Sequence, residues 1–218
     1  MGAQISAKDV KALRDATNAG MMDCKKALEE AGGDMKAAEE WLRKKGLSDA
    51  GRKGARVAAE GAVISYVHPG NKLAVVVEVN CESDFVARGE DFQNFVKDVA
   101  MQIAAANPLW VKREEVPADA VAKEKDVLKA QVVESGKPEN IAEKIVEGKI
   151  NKWFSDVVLL EQPWVKEPKM TIEELRASMV QKTGENISIR RFTRYVLGEG
   201  IEKKVTDLAA EVAKMTQS

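Results

Sequence analysis

The spacing of apolar positions changes several times along the chain, and each change marks an element. From Ala7 to about Thr17, Val10 and Leu13 fall on one helical face, and Asn18-Ala19-Gly20 breaks the run. A second helix is predicted from near Met21 to Gly32-Gly33. Asp34 caps a third, which carries Trp41 and Leu42 and stops at Gly46. Helices this short do not persist singly in water, so they must pack as a miniature bundle. The period then drops to two. Ala62, Ile64 and Tyr66 alternate with Val63, Ser65 and Val67, and His68-Pro69-Gly70-Asn71 is a turn signal. Leu73, Val75, Val77 and Val79 fill one face of the return strand, and Ala74 and Val76 predict partial cover on the other.

Helical spacing returns at Phe92, Phe95, Val96, Val99, Ala100 and Ile103, an aromatic stripe suited to lie on the hairpin. Two polar helical stretches, 119–136 and 139 to about 152, are separated by Gly136-Lys137-Pro138. Ile141, Ile145 and Val146 give the second an apolar face. Trp153 to Leu160 reads as a helix end followed by a strand. Pro163 and Pro168 bracket an extended connection containing Trp164. Thr171 with Glu174 forms a capping box for a helix carrying Leu175 and Met179. Ile187 to Leu197 alternates as a strand, and Ile201 to Met215 is amphipathic. The predicted class is α+β: a three-helix head (1–48), a basic linker (49–59) and an antiparallel sheet core covered by helices (60–218), with 119–152 a helical excursion.

Composition narrows the function classes. Of 218 residues, 32% are charged and 44% hydrophobic, as in a folded globular chain, and the net charge of -1 gives no global drive towards nucleic acid or anionic lipid. No apolar run approaches the length of a membrane span. Lys8, Asp9 and Lys11 interrupt the start, so no secretory signal is expected. Met1-Gly2-Ala3-Gln4-Ile5-Ser6 fits the loose myristoylation pattern, but Ser6 with Asp9 reads better as a helix cap. Cys24 and Cys81 form no Cys-x-x-Cys pair. They read as buried thiols in a reducing cytoplasm.

Enzyme chemistry finds little support. The single histidine, His68, sits in a turn and cannot build a triad or a histidine metal cluster unaided. Cys81 beside Glu82 lacks a neighbouring base. Gly51-Arg52-Lys53-Gly54 is too short for a phosphate loop. No metal or cofactor site is predicted.

The remaining feature is Asn80-Cys81-Glu82-Ser83-Asp84-Phe85-Val86-Ala87-Arg88, between the return strand and the aromatic helix. From position alone, Phe85 is either core or the tooth of a binding surface. This segment resembles the second signature of the translation elongation factor Ts family. Leu13-Arg14-Asp15-Ala16-Thr17-Asn18-Ala19-Gly20-Met21-Met22-Asp23-Cys24-Lys25-Lys26-Ala27-Leu28 resembles its first. Both are long, in the family's order and spacing, and the resemblance extends over essentially the whole chain. Asn18 stands where the family usually has Gly, and Ser83 where it has Thr. Asn tolerates a left-handed turn, and Ser keeps the hydroxyl.

The resemblance implies a cytoplasmic guanine-nucleotide exchange factor that binds elongation factor Tu, with no stable nucleic-acid or membrane binding. It implies a ubiquitin-associated-like head on the partner's nucleotide-binding domain, and a core gripping that domain and the partner's third domain. The chain looks like the short bacterial-type form, in which two cores can pair as a homodimer. Asp84 and Phe85 correspond to the acidic-aromatic pair. Phe85 would wedge between partner helices beside the magnesium site, Asp84 would make polar contacts, and GDP would leave as Mg²⁺ and the phosphate loop loosen. Val86 belongs to the same segment and, with Ala87, supports it. In the head, Arg14, Thr17, Gly20, Met21 and Met22 carry the binding expectation. Leu13 and Met22 are also core candidates, and adjacent methionines predict one side chain in and one out. Trp153 and Trp164 are candidate dimer contacts, with ordinary burial as the alternative. Two other readings stay open: an adaptor that needs only the head, and an RNA-binding factor using Arg52, Lys53, Arg56, Arg190, Arg191 and Arg194.

Overall fold

In the computed structural model, residues 5–17, 19–134 and 139–201 are described, the last stretch with side chains from residue 143 onward. The predicted helix beyond Ile201, Met1–Gln4, Asn18, Gly136-Lys137-Pro138 and the Ile141 side chain lie outside these residues. A reciprocal cap starts α1 (Ala7–Thr17). The Ser6 hydroxyl accepts from the Asp9 amide at 3.1 Å, and the Asp9 carboxylate accepts from the Ser6 amide at 3.2 Å. α2 (Met21–Glu30) and α3 (Met35–Lys53) complete the bundle, and Asp34 caps α3 by accepting from the Ala37 amide at 2.8 Å. Val10, Leu13, Cys24, Ala27, Leu28, Ala38 and Leu42 form its core. Trp41 packs half-buried against it.

α3 does not stop at Gly46. It continues to Lys53, and Ala50 joins the main core beyond the bundle. A Cβ at Gly46 would lie 3.5 Å from the Gln181 side chain and 4.0 Å from the Ala177 carbonyl. The glycine therefore brings two helices close together rather than ending one. Residues 49–53 of the expected linker are consequently helical, and only the stretch from Gly54 to Ala59 is irregular.

The main sheet has the order β1 (Glu60–Val67), β2 (Leu73–Cys81), β5 (Ser188–Val196), antiparallel throughout. Gly70 and Asn71 take the left-handed conformation the turn requires. Val75, Val77 and Val79 are fully buried under α5 (Glu90–Ala106), whose stripe Phe92, Phe95, Val96, Val99, Ala100 and Ile103 is buried as its spacing predicts. Gly61 is a steric requirement. At φ 139° its missing Cβ would lie 2.1 Å from the Val79 carbonyl and 2.7 Å from the Asn80 Cα.

α6 (Ala118–Glu134) and α7 (Glu139–Val157) pack on each other around Leu128, Val132, Val146, Ile150 and Phe154. The strand expected before Leu160 shrinks to a single parallel bridge between Val158 and Trp110. α7 runs to Val157, and a 3-10 turn, Leu159–Glu161, follows. Leu159 donates to the Trp110 carbonyl at 2.8 Å and Leu160 to the Val111 carbonyl at 3.1 Å. The expected extended connection is a two-stranded ribbon, β3 (Pro163–Trp164) with β4 (Glu167–Thr171). α8 (Ile172–Thr183) opens on the full Thr171–Glu174 capping box. It packs against α3, where Arg43 pairs with Glu174 at 3.2 Å. The described chain is thus α+β with an antiparallel sheet under helices. No described helix is long and apolar enough to cross a membrane.

Candidate functional site

The strand-to-helix junction resolves into a five-residue helix, α4 (Asp84–Arg88), set between β2 and α5. Ser83 is its cap: the hydroxyl accepts from the Val86 amide at 3.3 Å. Ala87 is buried and Val86 half-buried against the main core. These two side chains pin one face of α4 and leave the other open. On that open face Phe85 is 84% exposed, while Phe92, one helix later, is 1% exposed. Asp84 is exposed and pairs with Arg88 at 2.9 Å. An apolar ring held in water at this exposure contributes nothing to the fold's own core, which favours the binding-surface alternative.

α4 is held by residues far away in sequence. The Glu185 carboxylate accepts from the Glu82 and Ser83 amides at 3.0 Å each, and from the Ser83 hydroxyl at 2.6 Å. In return the Glu82 carboxylate accepts from the Asn186 amide at 2.6 Å, and the Asn186 side chain donates to the Arg56 carbonyl at 2.8 Å. The Cys81 thiol donates to the Ser83 carbonyl at 3.1 Å. Burial, reinforced by the Glu185 charge, pushes this thiol up to about 11. It is therefore a neutral donor at physiological pH and no nucleophile. Burial likewise raises the Cys24 thiol.

The first predicted segment forms a second exposed surface. Gly20 caps α2 in extended conformation. Thr17, half-buried, donates from its hydroxyl to the Leu13 carbonyl at 2.7 Å and accepts from the Ala19 amide at 3.4 Å. Leu13 is core, as expected. The methionines do not divide as predicted. Met21 is 55% and Met22 76% exposed. The inward stripe of α2 is Cys24, Ala27 and Leu28, which places Met22 opposite it and Met21 on its flank. Met22 is therefore not bundle core. Together with Ile5, Val10 and Lys25 the pair lines a shallow hollow of about 330 Å³.

Arg14 is exposed and shares a second hollow with Gly20, Met21, Gln181 and Lys182. Lys182, at the end of α8, also pairs with Asp91 at 2.6 Å, shortly after α4. The end of α8 therefore borders the first predicted segment and the start of α5, just after the second. The sequence patterns missed Lys182, Glu185 and Asn186. The nearest signal is the Gly184-Glu185-Asn186 turn before β5, which says nothing about a partner some hundred residues earlier.

The remaining candidates lie elsewhere. Trp153 is half-buried beside Trp110 and Phe154, with ring centroids 6.1 and 5.1 Å away. Trp164 is half-buried against the main core, and its indole N–H has no hydrogen-bond partner among the described residues. His68 pairs with the Tyr66 hydroxyl at 3.0 Å. Among the described residues no group of His, Cys, Asp and Glu side chains is placed to hold a metal ion.

A family model described as elongation factor TS matches residues 50–199. Elongation factor Ts of Anaeromyxobacter sp. (strain K) is 63% identical over 212 residues, 97% of this chain and 97% of that protein. The Geobacter metallireducens protein of the same name is 59% identical over 209 residues, 96% of this chain and 97% of its own. The Desulforamulus reducens protein of that name is 56% identical over 211 residues, 97% of each. With more than half of its residues identical to these relatives from end to end, the chain belongs to the elongation factor Ts family.

Proposed function

We propose that this chain releases GDP from elongation factor Tu in the cytoplasm by pressing Phe85 between partner helices near the Mg²⁺ and phosphate site. Membership of the family makes it a nucleotide-exchange factor without chemistry of its own. The observation that carries the wedge is the exposed ring of Phe85 on a helix anchored beneath it. A loose aromatic would fold back onto the protein, whereas a fixed one retains its apolar surface for a partner. Asp84 supplies polar contacts beside it, and Val86 supports the helix from below. Arg14, Thr17, Gly20, Met21 and Met22 form the head's share of the surface, on a bundle we read as ubiquitin-associated-like and as a separate domain. By linkage, a factor that weakens nucleotide binding must itself be bound less tightly when nucleotide is present.

The test is release of a fluorescent GDP from elongation factor Tu into excess unlabelled GDP. The parent accelerates release, and Phe85→Ala loses most of the acceleration. Acceleration untouched by the substitution would keep the exchange activity and remove the wedge. No acceleration by the folded parent would remove both.

A homodimer is the second part of the proposal. Trp153 and Trp164 are committed largely to their own chain. The outer sheet face, with Val63, Val67, Val76, Tyr195 and Leu197 exposed, offers a larger apolar surface for a second copy. Sedimentation of the parent and of Val76→Lys distinguishes the surfaces: the dimer is lost with Val76→Lys if the sheet pairs, and kept if the tryptophans do.

A further inference from the structure

We infer that Glu185 is the positioning residue of the exchange helix, fixing where Phe85 points without touching the partner. This rests on the reading of Phe85 given above. At 84% exposure the ring has almost no packing of its own to orient it, so its direction is that of the α4 backbone. A five-residue helix has no stability in isolation, and its start depends on its cap. That cap is the Ser83 hydroxyl, which has one proton and must choose a direction for it. Glu185 accepts the hydroxyl's hydrogen bond at 2.6 Å, leaving an oxygen lone pair for the Val86 amide at 3.3 Å.

The same carboxylate fixes the two preceding peptide units by accepting from the Glu82 and Ser83 amides. These are charge-assisted bonds to consecutive donors, so they set the plane of the chain as it enters α4 as well as its distance. The clasp is reciprocal, because Glu82 accepts from the Asn186 amide. Asn186 ties in a third segment through the carbonyls of Gly54 and Arg56, at 3.4 and 2.8 Å. Two stretches remote in sequence, 54–56 and 185–186, therefore converge on the residues just before Phe85. Apolar packing of Val86 and Ala87 keeps α4 on the core. The polar clasp adds the position and plane at which its first turn begins.

The test separates the maximal GDP-release rate at saturating factor from the concentration giving half that rate. It uses the full chain, Glu185→Ala, Glu185→Gln, Phe85→Ala and the double variant Glu185→Ala/Phe85→Ala, each checked for folding by thermal unfolding. Misaiming the ring lowers the maximal rate by about tenfold, with little change in the half-saturating concentration. Glu185→Gln, which keeps one acceptor oxygen, recovers part of that rate. The double variant releases GDP at the Phe85→Ala rate, because Glu185 acts through the ring it aims. A Glu185→Ala protein at the parent rate, or a double variant slower by the product of the two single effects, overturns the inference. Should Glu185→Ala not fold, Glu185→Gln and Ser83→Ala, which loses the bond to Glu185 and the one from the Val86 amide, weaken the same clasp and carry the same comparison. If Phe85→Ala itself keeps the parent rate, the wedge falls, and the aiming role falls with it. Loss in Phe85→Ala with none in Glu185→Ala removes the aiming role alone.

Discussion

The two exposed apolar surfaces of this protein are built in opposite ways. Met21 and Met22 stand on the first turn of α2, carried by the small three-helix bundle. Their unbranched side chains adapt to what they meet. Phe85 is a stiff ring on a short helix fixed by the main core below and by the Glu185, Glu82 and Asn186 clasp beside it. A compliant surface suits holding a partner, and a rigid one suits deforming it. We therefore assign affinity chiefly to the head and displacement of the nucleotide chiefly to α4.

The largest expected effect contrasts the two phenylalanines. Phe92→Ala empties a buried site and costs about 3–5 kcal/mol in urea unfolding. Phe85→Ala leaves stability within about 0.5 kcal/mol of the parent, because its ring packs against little. A comparable loss in both would mean that Phe85 is part of the core. Next comes Gly61→Ala, whose added methyl meets the Val79 carbonyl and must push β1 from β2 just ahead of α4. It should cost more than about 1 kcal/mol, measured the same way. A neutral result would show that this strand end yields freely and that α4 is less rigidly based than described.

Replacing Met21 and Met22 together by Ala should raise the half-saturating concentration about fivefold, equivalent to about 1 kcal/mol, at an unchanged maximal rate. A lowered maximal rate would erase the division between the surfaces. The smallest effect is on pH. Arg190 and Arg191, both hydrogen-bonded to Glu78 across the sheet, lower its carboxyl from 4.5 to about 2. A depressed carboxylate contributes stability above its unfolded value and loses it as pH falls through its folded one. The contribution is thus complete above about 4.5 and fades towards about 2. Acid unfolding of Glu78→Gln should lack that part of the slope, and an unchanged slope would show the pairs to be fully screened.

Elements whose signals are local could be read from the chain. The α5 stripe, the His68–Asn71 turn and the Thr171 cap each depend on residues a few positions apart, and each is where its pattern puts it. The misses are tertiary. Gly46 reads as a helix stop until α8 is seen packed against it. The segment before Leu160 looks like a strand, but α7 runs on to Val157 and a 3-10 turn follows, which leaves a single bridge at Val158. Adjacent Met21 and Met22 suggested one buried side chain because the competing stripe, Cys24-Ala27-Leu28, lies a turn later. The resemblance drew attention to Phe85. No periodicity could link Ser83 to Glu185, because polar contacts between distant segments leave no pattern along either one.

The most direct measurement is the GDP-release rate from elongation factor Tu as a function of factor concentration, for the parent and Phe85→Ala. Truncation of an interface anchor is worth about 2 kcal/mol, so the maximal rate should fall about thirtyfold while saturation still occurs near the parent concentration. An unchanged plateau, reached only at much higher concentration, would contradict this picture: Phe85 would then hold the partner and not displace its nucleotide.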